Sequence, residues 1–73
     1  MRLDQAPLRE PTIVTATSLE PATLRRLMAF GVAPGARIMR AQRTAHGGSV
    51  VAIGADRVAL DAHTSRLIEV EPV

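Results

Sequence analysis

A chain of 73 residues with 47% hydrophobic content and no cysteine makes one small ordered domain, without disulfides or thiolate metal sites. Its aliphatic side chains and single aromatic residue, Phe30, give a thin core that suits a small barrel better than a wide substrate cleft. The net charge is only +2, and the pI near 11.1 overstates the basic character because no lysine, tyrosine or cysteine titrates between histidine and arginine.

Residues 1–11 place Leu3 and Leu8 among polar residues with Pro7 and Pro11, so the expectation is an extended arm that lays one of the two leucines across the body of the domain. Thr12 to Thr17 is rich in β-branched residues and reads as the first strand. Ile13 and Val14 fall on opposite faces of it. Ser18-Leu19-Glu20-Pro21 opens a helix, with either Ser18 as the cap and Pro21 in the first turn, or Glu20 as the cap and Pro21 at the first helical position. Serine is the better capping residue. The helix runs to about Phe30 and depends on burying Leu24, Leu27 and Met28, which share one face at i, i+3 and i+4. Gly31 supplies a positive φ to close it, with Val32 covering the last turn. Pro34-Gly35 is then a tight turn.

Ala36 to Arg43 predicts the second strand. Ile38 reads as buried, yet Arg40 stands two residues on, so either Arg40 lies near an edge with its head in solvent or a bulge shifts the register. His46-Gly47-Gly48-Ser49 connects this strand to a returning one at Val50 to Ile53. Gly54-Ala55-Asp56 turns the chain into Arg57 to Leu60, where Val58 and Leu60 alternate with exposed positions. Asp61 to Arg66 reads as an irregular or 3₁₀ turn, and Leu67 to Glu71 closes with Ile68 and Val70 inward. Five short strands with tight turns and one helix between the first two describe a small bent all-β barrel with the helix over one opening. No apolar run approaches the ~20 residues of a membrane span. Met1-Arg2 leads into no secretory signal. The expected location is the cytoplasm.

No catalytic constellation is visible, so the chain does not read as an enzyme. Nucleophilic hydrolysis needs a base beside Ser or Thr, and the histidines, His46 and His63, both fall in turns. The acidic residues show no paired acid/base arrangement. With Asp61, His63 offers two ligands where a structural zinc site wants four; the histidines are weak adventitious metal candidates, and no cofactor is expected. Arg25, Arg26, Arg37, Arg40 and Arg43 cluster mid-chain and suit either a solvated face or bidentate contacts to carboxylate or phosphate. Nucleic-acid barrels usually stack bases on aromatic residues, and this chain has one, which makes nucleic acid the weaker partner. A helical projection puts Phe30 beside Arg26, off the Leu24/Leu27/Met28 stripe. It is either a cap on the barrel or an exposed anchor in a protein interface.

Leu24 to Gly35, with its R-L-x-x-x-G-[LV]-x-P-G arrangement, resembles the signature of the FeoA family, and Val58-Ala59-Leu60 and Leu67 to Val70 resemble that family's closing strands. The similarity covers about Thr12 to Glu71. Arg9-Glu10-Pro11 stands where the family often has a glycine, Arg40 where it is commonly apolar, and Ser65 where it commonly has alanine. The resemblance implies an SH3-like barrel and a small cytoplasmic accessory protein of bacterial ferrous iron uptake, acting on the FeoB-type membrane transporter. The same barrel occurs as the C-terminal domain of iron-dependent repressors, but no DNA-binding helix-turn-helix accompanies it in this sequence. On this reading the protein is a non-enzymatic interaction module. Its expected contact surface is Arg25, Arg26, Phe30 and Val32, with Arg37 nearby: an apolar anchor ringed by arginines that pair with a partner's carboxylates. A small nucleic-acid-binding barrel is the alternative, a direct iron carrier a third and poorer one. Self-association through an exposed strand edge is a further expectation.

Overall fold

Alternation along the first strand, β1 (Pro11–Thr17), turns Thr12 and Val14 inward and leaves Ile13 half-buried. The computed structural model describes residues 1–73. The other strands are β2 (Arg37–Arg43), β3 (Ser49–Ile53), β4 (Asp56–Leu60) and β5 (Ile68–Pro72), all antiparallel in the order β4-β3-β2-β1-β5. Registers shift between Val14 and Ala16 against β5 and between Arg40 and Gln42 against β3. Each shift inserts one residue, Thr15 or Ala41, which bends its strand and curls the sheet into an SH3-like barrel. Leu3, Val14, Leu27, Val32, Ile38, Val51, Leu60, Ile68 and Val70 fill the interior. All are aliphatic.

Both branches of the Arg40 expectation are modified. A bulge is present, but it falls after Arg40 at Ala41, so Arg40 stays on the inward face with Ile38. Its head does not reach solvent; the residue is 4% exposed. The guanidinium donates from Nε to Ser49 Oγ at 2.8 Å and from Nη1 to the carbonyls of Asp4 at 3.0 Å and Ala6 at 3.4 Å. Burial, reinforced by the charge of Arg43, pushes its pKa below the ordinary arginine value. Three acceptors and no carboxylate ion pair hold this charge.

The acceptors explain the arm. Instead of running extended throughout, residues Leu3–Gln5 form a 3₁₀ turn that inserts Leu3 completely into the core, while Leu8 is only half-buried. The Arg9 amide bonds the Arg40 carbonyl at 2.8 Å, and the Val70 amide bonds that of Met1 at 2.8 Å, so the arm is tied to β2 and β5.

Two further differences concern helices. Helix α1 spans Pro21–Met28 with Glu20, not Ser18, at its N-cap, which places Pro21 at the first helical position, where its missing N–H leaves no bond unmade. Residues Ala62–Arg66 form a short helix α2 rather than an irregular turn. The Asp61 carboxylate caps it, accepting from the Thr64 amide at 2.7 Å. Ser65 is fully buried, with its hydroxyl donating to the Asp61 carbonyl at 2.9 Å. That bond satisfies the buried hydroxyl, so serine fits where the resemblance implies alanine. No helix is long and apolar enough to cross a membrane.

Candidate interaction surface

The surface of interest is set by how α1 ends. The Val32 amide bonds the Leu27 carbonyl at 3.0 Å and the Gly31 amide bonds that of Met28 at 3.0 Å, with Gly31 at φ +95°. This pair of bonds around a left-handed residue is the Schellman motif, and its usual apolar contact is supplied by Leu27 and Val32, both buried. Glycine is required twice over at 31, because a Cβ there would stand 2.9 Å from Ile53 Cγ2. The Ala36 amide then bonds the Ala33 carbonyl at 2.9 Å across Pro34-Gly35, which starts β2.

Two sequence expectations change here. Val32 is 0% exposed and cannot be a contact residue; its place in the helix cap puts it in the core. Met28 is 51% exposed and leaves the expected apolar stripe, which reduces to Leu27 with Leu24 half-buried. Phe30 does not cap the barrel. It is 53% exposed.

Successive helical residues are ~100° apart, so Arg26 and Phe30, four apart, share one flank of α1, while Arg25 and Met28 share the opposite one. The first flank borders a cleft whose far wall is Val58, Ala59 and Leu60 of β4 with Asp61 and Thr64. Arg37, also exposed, borders a separate hollow with Pro11, Met39 and Gly54. The structure thus unites Arg26 with Phe30 and leaves Arg25 and Arg37 outside their cleft. Arg25, Arg26 and Arg37 have no carboxylate within 4.0 Å; the ion pairs involve only the Met1 amine with Glu69 and Glu71, and Arg2 with Asp4. The guanidiniums of Arg25 and Arg26 sit in the last turn, where the helix dipole favours positive charge.

The five mid-chain arginines do not form one face, since Arg40 lies inside the barrel. His46 and His63 border the same open depression beside α2, with Asp61 and Arg66. His46 occupies the left-handed region at φ +63°. No three His, Asp or Glu side chains converge there as a metal-holding group, and the Asp61 carboxylate is committed to Thr64. That bond to the Thr64 amide, helped by the Thr64 side chain, holds the Asp61 carboxyl below its usual range. Sequence reasoning missed the wall formed by β4 and the Asp61 cap. An Asp three residues before Thr64, at the start of a short polar segment, is the signal that announces the cap.

The family model for the FeoA domain matches residues 1–72. The chain belongs to the FeoA family. Members of this family take part in ferrous iron transport as accessory proteins. The whole chain superimposes on 70% of the solution structure of a FeoA protein from Chlorobium tepidum, with a TM-score of 0.90 at 24% identity. It matches 46% of iron(II) transport protein A from Clostridium thermocellum with a TM-score of 0.87 at 27% identity. It also matches 97% of a crystal structure of the iron uptake regulatory protein FeoA, at 0.86 and 19%. No curated protein matches the sequence.

Proposed function

We propose that this FeoA-family chain is a cytoplasmic, non-enzymatic regulator of ferrous iron uptake that docks on the cytosolic part of a FeoB-type transporter. The observation that carries the reading is the Arg26/Phe30 flank of α1. A half-exposed aromatic side chain stands beside a guanidinium without a carboxylate partner, on a rigid helix end. Aromatic and arginine residues concentrate binding energy in protein interfaces. Phe30 is the apolar anchor, and Arg26 recognises a carboxylate on the partner, with Arg25 and Arg37 adding positive charge at the rim.

The test is a calorimetric titration of the full chain against the soluble cytosolic domain of the cognate transporter, with and without guanine nucleotide. Saturable binding lost in Phe30→Ala and in Arg26→Glu, with both variants folded, supports the reading. Binding that ignores both substitutions moves the site elsewhere, and no binding in either nucleotide state removes docking on the cytosolic domain, leaving the transporter's membrane part or a different partner.

A further inference from the structure

Strand β4 is hydrogen-bonded only to β3, so its other edge has no strand beside it. The phase of that edge follows from the hairpin. Ile53 and Asp56 close a two-residue turn, Gly54-Ala55, in which Gly54 alone takes a positive φ, of 59°. Such a turn is closed by a hydrogen-bonded pair, and bonding then alternates along an antiparallel ladder. Asp56, Val58 and Leu60 therefore direct their amides and carbonyls toward β3, while Arg57 and Ala59 direct theirs outward. The far end of β3 gives the same phase: the Thr44 amide bonds the Gly48 carbonyl, so Gly48 faces β2 and Ser49 faces β4. None of the backbone bonds made outside the helices and strands uses Arg57 or Ala59.

The cleft described above borders the second half of this strand, Val58 to Leu60, and continues past its end to Asp61 and Thr64. Side chains of consecutive strand residues leave on opposite faces. The cleft is bordered by residues of both faces, half-buried Val58 and buried Leu60 with exposed Ala59 between them, so it reaches the main chain of this part of the strand. Its other wall carries Arg26 of α1 and Phe30 at the helix exit, four residues or ~6 Å apart at the helical rise. Alternate residues of an extended strand are ~6.7 Å apart, close to that spacing.

We infer that an extended segment of the partner adds to β4 as an extra antiparallel or parallel strand, bonded to the main chain of Arg57 and Ala59, with a carboxylate for Arg26 and an apolar side chain for Phe30 at alternate positions. This rests on the docking reading above and specifies its mode. A helix cannot fill the role, because its own backbone groups are already bonded to one another. Charge complementarity selects the acidic residue: Arg26 lacks a carboxylate within 4.0 Å, Arg57 is exposed on the edge, and the nearby Asp61 is occupied by the Thr64 amide.

The deciding variant is Ala59→Pro. The Ala59 amide points away from β3, so proline there removes no ladder bond, yet it deletes the donor that an added strand needs. Ala59→Ser keeps the amide and controls for the side chain. In titrations against the transporter's cytosolic domain, A59S binds within about twofold of wild type and A59P binds at least about tenfold more weakly, one hydrogen bond's worth. Amide exchange supplies a readout that does not require A59P to fold: in the wild-type complex the Arg57 and Ala59 amides are protected relative to the free chain. Binding of A59P equal to wild type, or no added protection at either amide, overturns strand addition while leaving docking intact. Failure of the wild type to bind removes both. Sedimentation that shows a dimer of the chain alone, abolished in A59P, assigns the edge to a second copy instead.

Discussion

Arg40→Met removes the link between arm and barrel while keeping much of the buried side-chain volume. The guanidinium makes two short hydrogen bonds, 2.8 Å to Ser49 Oγ and 3.0 Å to the Asp4 carbonyl, and one long one of 3.4 Å to that of Ala6. A bond from a charged donor contributes about 1.5–3 kcal/mol, so the two short ones set a gross loss of about 3–6 kcal/mol. Relief of the buried charge offsets part of this. The arm itself sets a ceiling, because it can lift and let water satisfy its carbonyls. Lifting exposes Leu3 and Ala6, which forfeits about 3–4 kcal/mol of apolar burial. The net effect is then about 2–4 kcal/mol, against a total stability of about 4–11 kcal/mol for 73 residues. The thermal midpoint falls on the order of 10–25 °C. Arg40→Lys, with one ammonium in place of a planar fork, reaches fewer of the acceptors and loses about half as much. Differential scanning calorimetry measures the midpoint. Limited trypsin digestion at Arg2 and Arg9 reports the arm, and cleavage there accelerates in R40M well below the melting transition. A midpoint within about 3 °C of wild type, with unchanged cleavage, would refute the assignment of Arg40 as the clasp.

Phe30→Ala and Val32→Ala are expected to separate docking from stability. F30A changes stability by no more than about 0.5 kcal/mol because the side chain is half-exposed, but weakens partner binding at least about tenfold. V32A empties a fully buried site for about 2 kcal/mol and leaves the affinity of the folded protein unchanged; urea melts and calorimetric titrations read the two effects. Gly31→Ala meets both the positive φ and Ile53 Cγ2, and costs about 2–4 kcal/mol, seen as a lower urea midpoint with an unchanged m-value. For Asp61 the folded pKa lies below the unfolded one, so its contribution to stability is present above the ordinary carboxyl pKa of 3.8 and is lost as pH falls through the folded value. Asp61→Asn keeps a capping acceptor but cannot titrate, so its thermal midpoint differs least from wild type in acid and the acid-side slope flattens. Asp61→Ala is less stable than wild type at neutral pH, and the gap narrows as pH falls below the ordinary carboxyl value.

The strands were legible because each β-branched run is bounded by its own turn residues, and Gly31, Pro34 and Gly35 announce a helix stop and a reversal that the structure contains. The errors share a cause: a local pattern met a tertiary requirement. Alternation left Arg40 open between a solvent-reaching head and a shifted register, and nothing adjacent in sequence shows that Ser49 and the carbonyls of residues 4 and 6 converge on it inside the barrel. Ser18 is the better cap by residue type, yet its amide is bound to the Leu67 carbonyl at 2.8 Å, which holds it in the barrel rather than at the helix start. Helical spacing placed Met28 with Leu24 and Leu27, but a helix lying on a narrow barrel buries a narrower stripe. In the candidate site, Arg26 beside Phe30 was readable from the i, i+4 relation. The opposite wall comes from β4, more than 25 residues along the chain, and no local signal joins them.

The exposure of Phe30 follows from the same bonds that stabilise the core. Leu27 and Val32 are drawn together when the Val32 amide bonds the Leu27 carbonyl, and Gly31 reverses the chain between them. Phe30 is the residue immediately before that reversal. With Leu27 facing the barrel, a residue three positions on is turned ~60° to one side, which carries Phe30 past the edge of the buried stripe and onto the Arg26 flank. Refolding the helix end to bury Phe30 would require breaking the cap and withdrawing Val32 from the interior. The apolar cluster at its centre is small and entirely aliphatic, so losing a fully buried valine is a large fraction of what holds it together. The aromatic ring is therefore kept at the surface by the stability of the fold, on backbone that the helix cap fixes. A partner that binds there has no backbone to order beneath the ring, which is the physical reason to place the affinity at the helix exit rather than on the arginines alone.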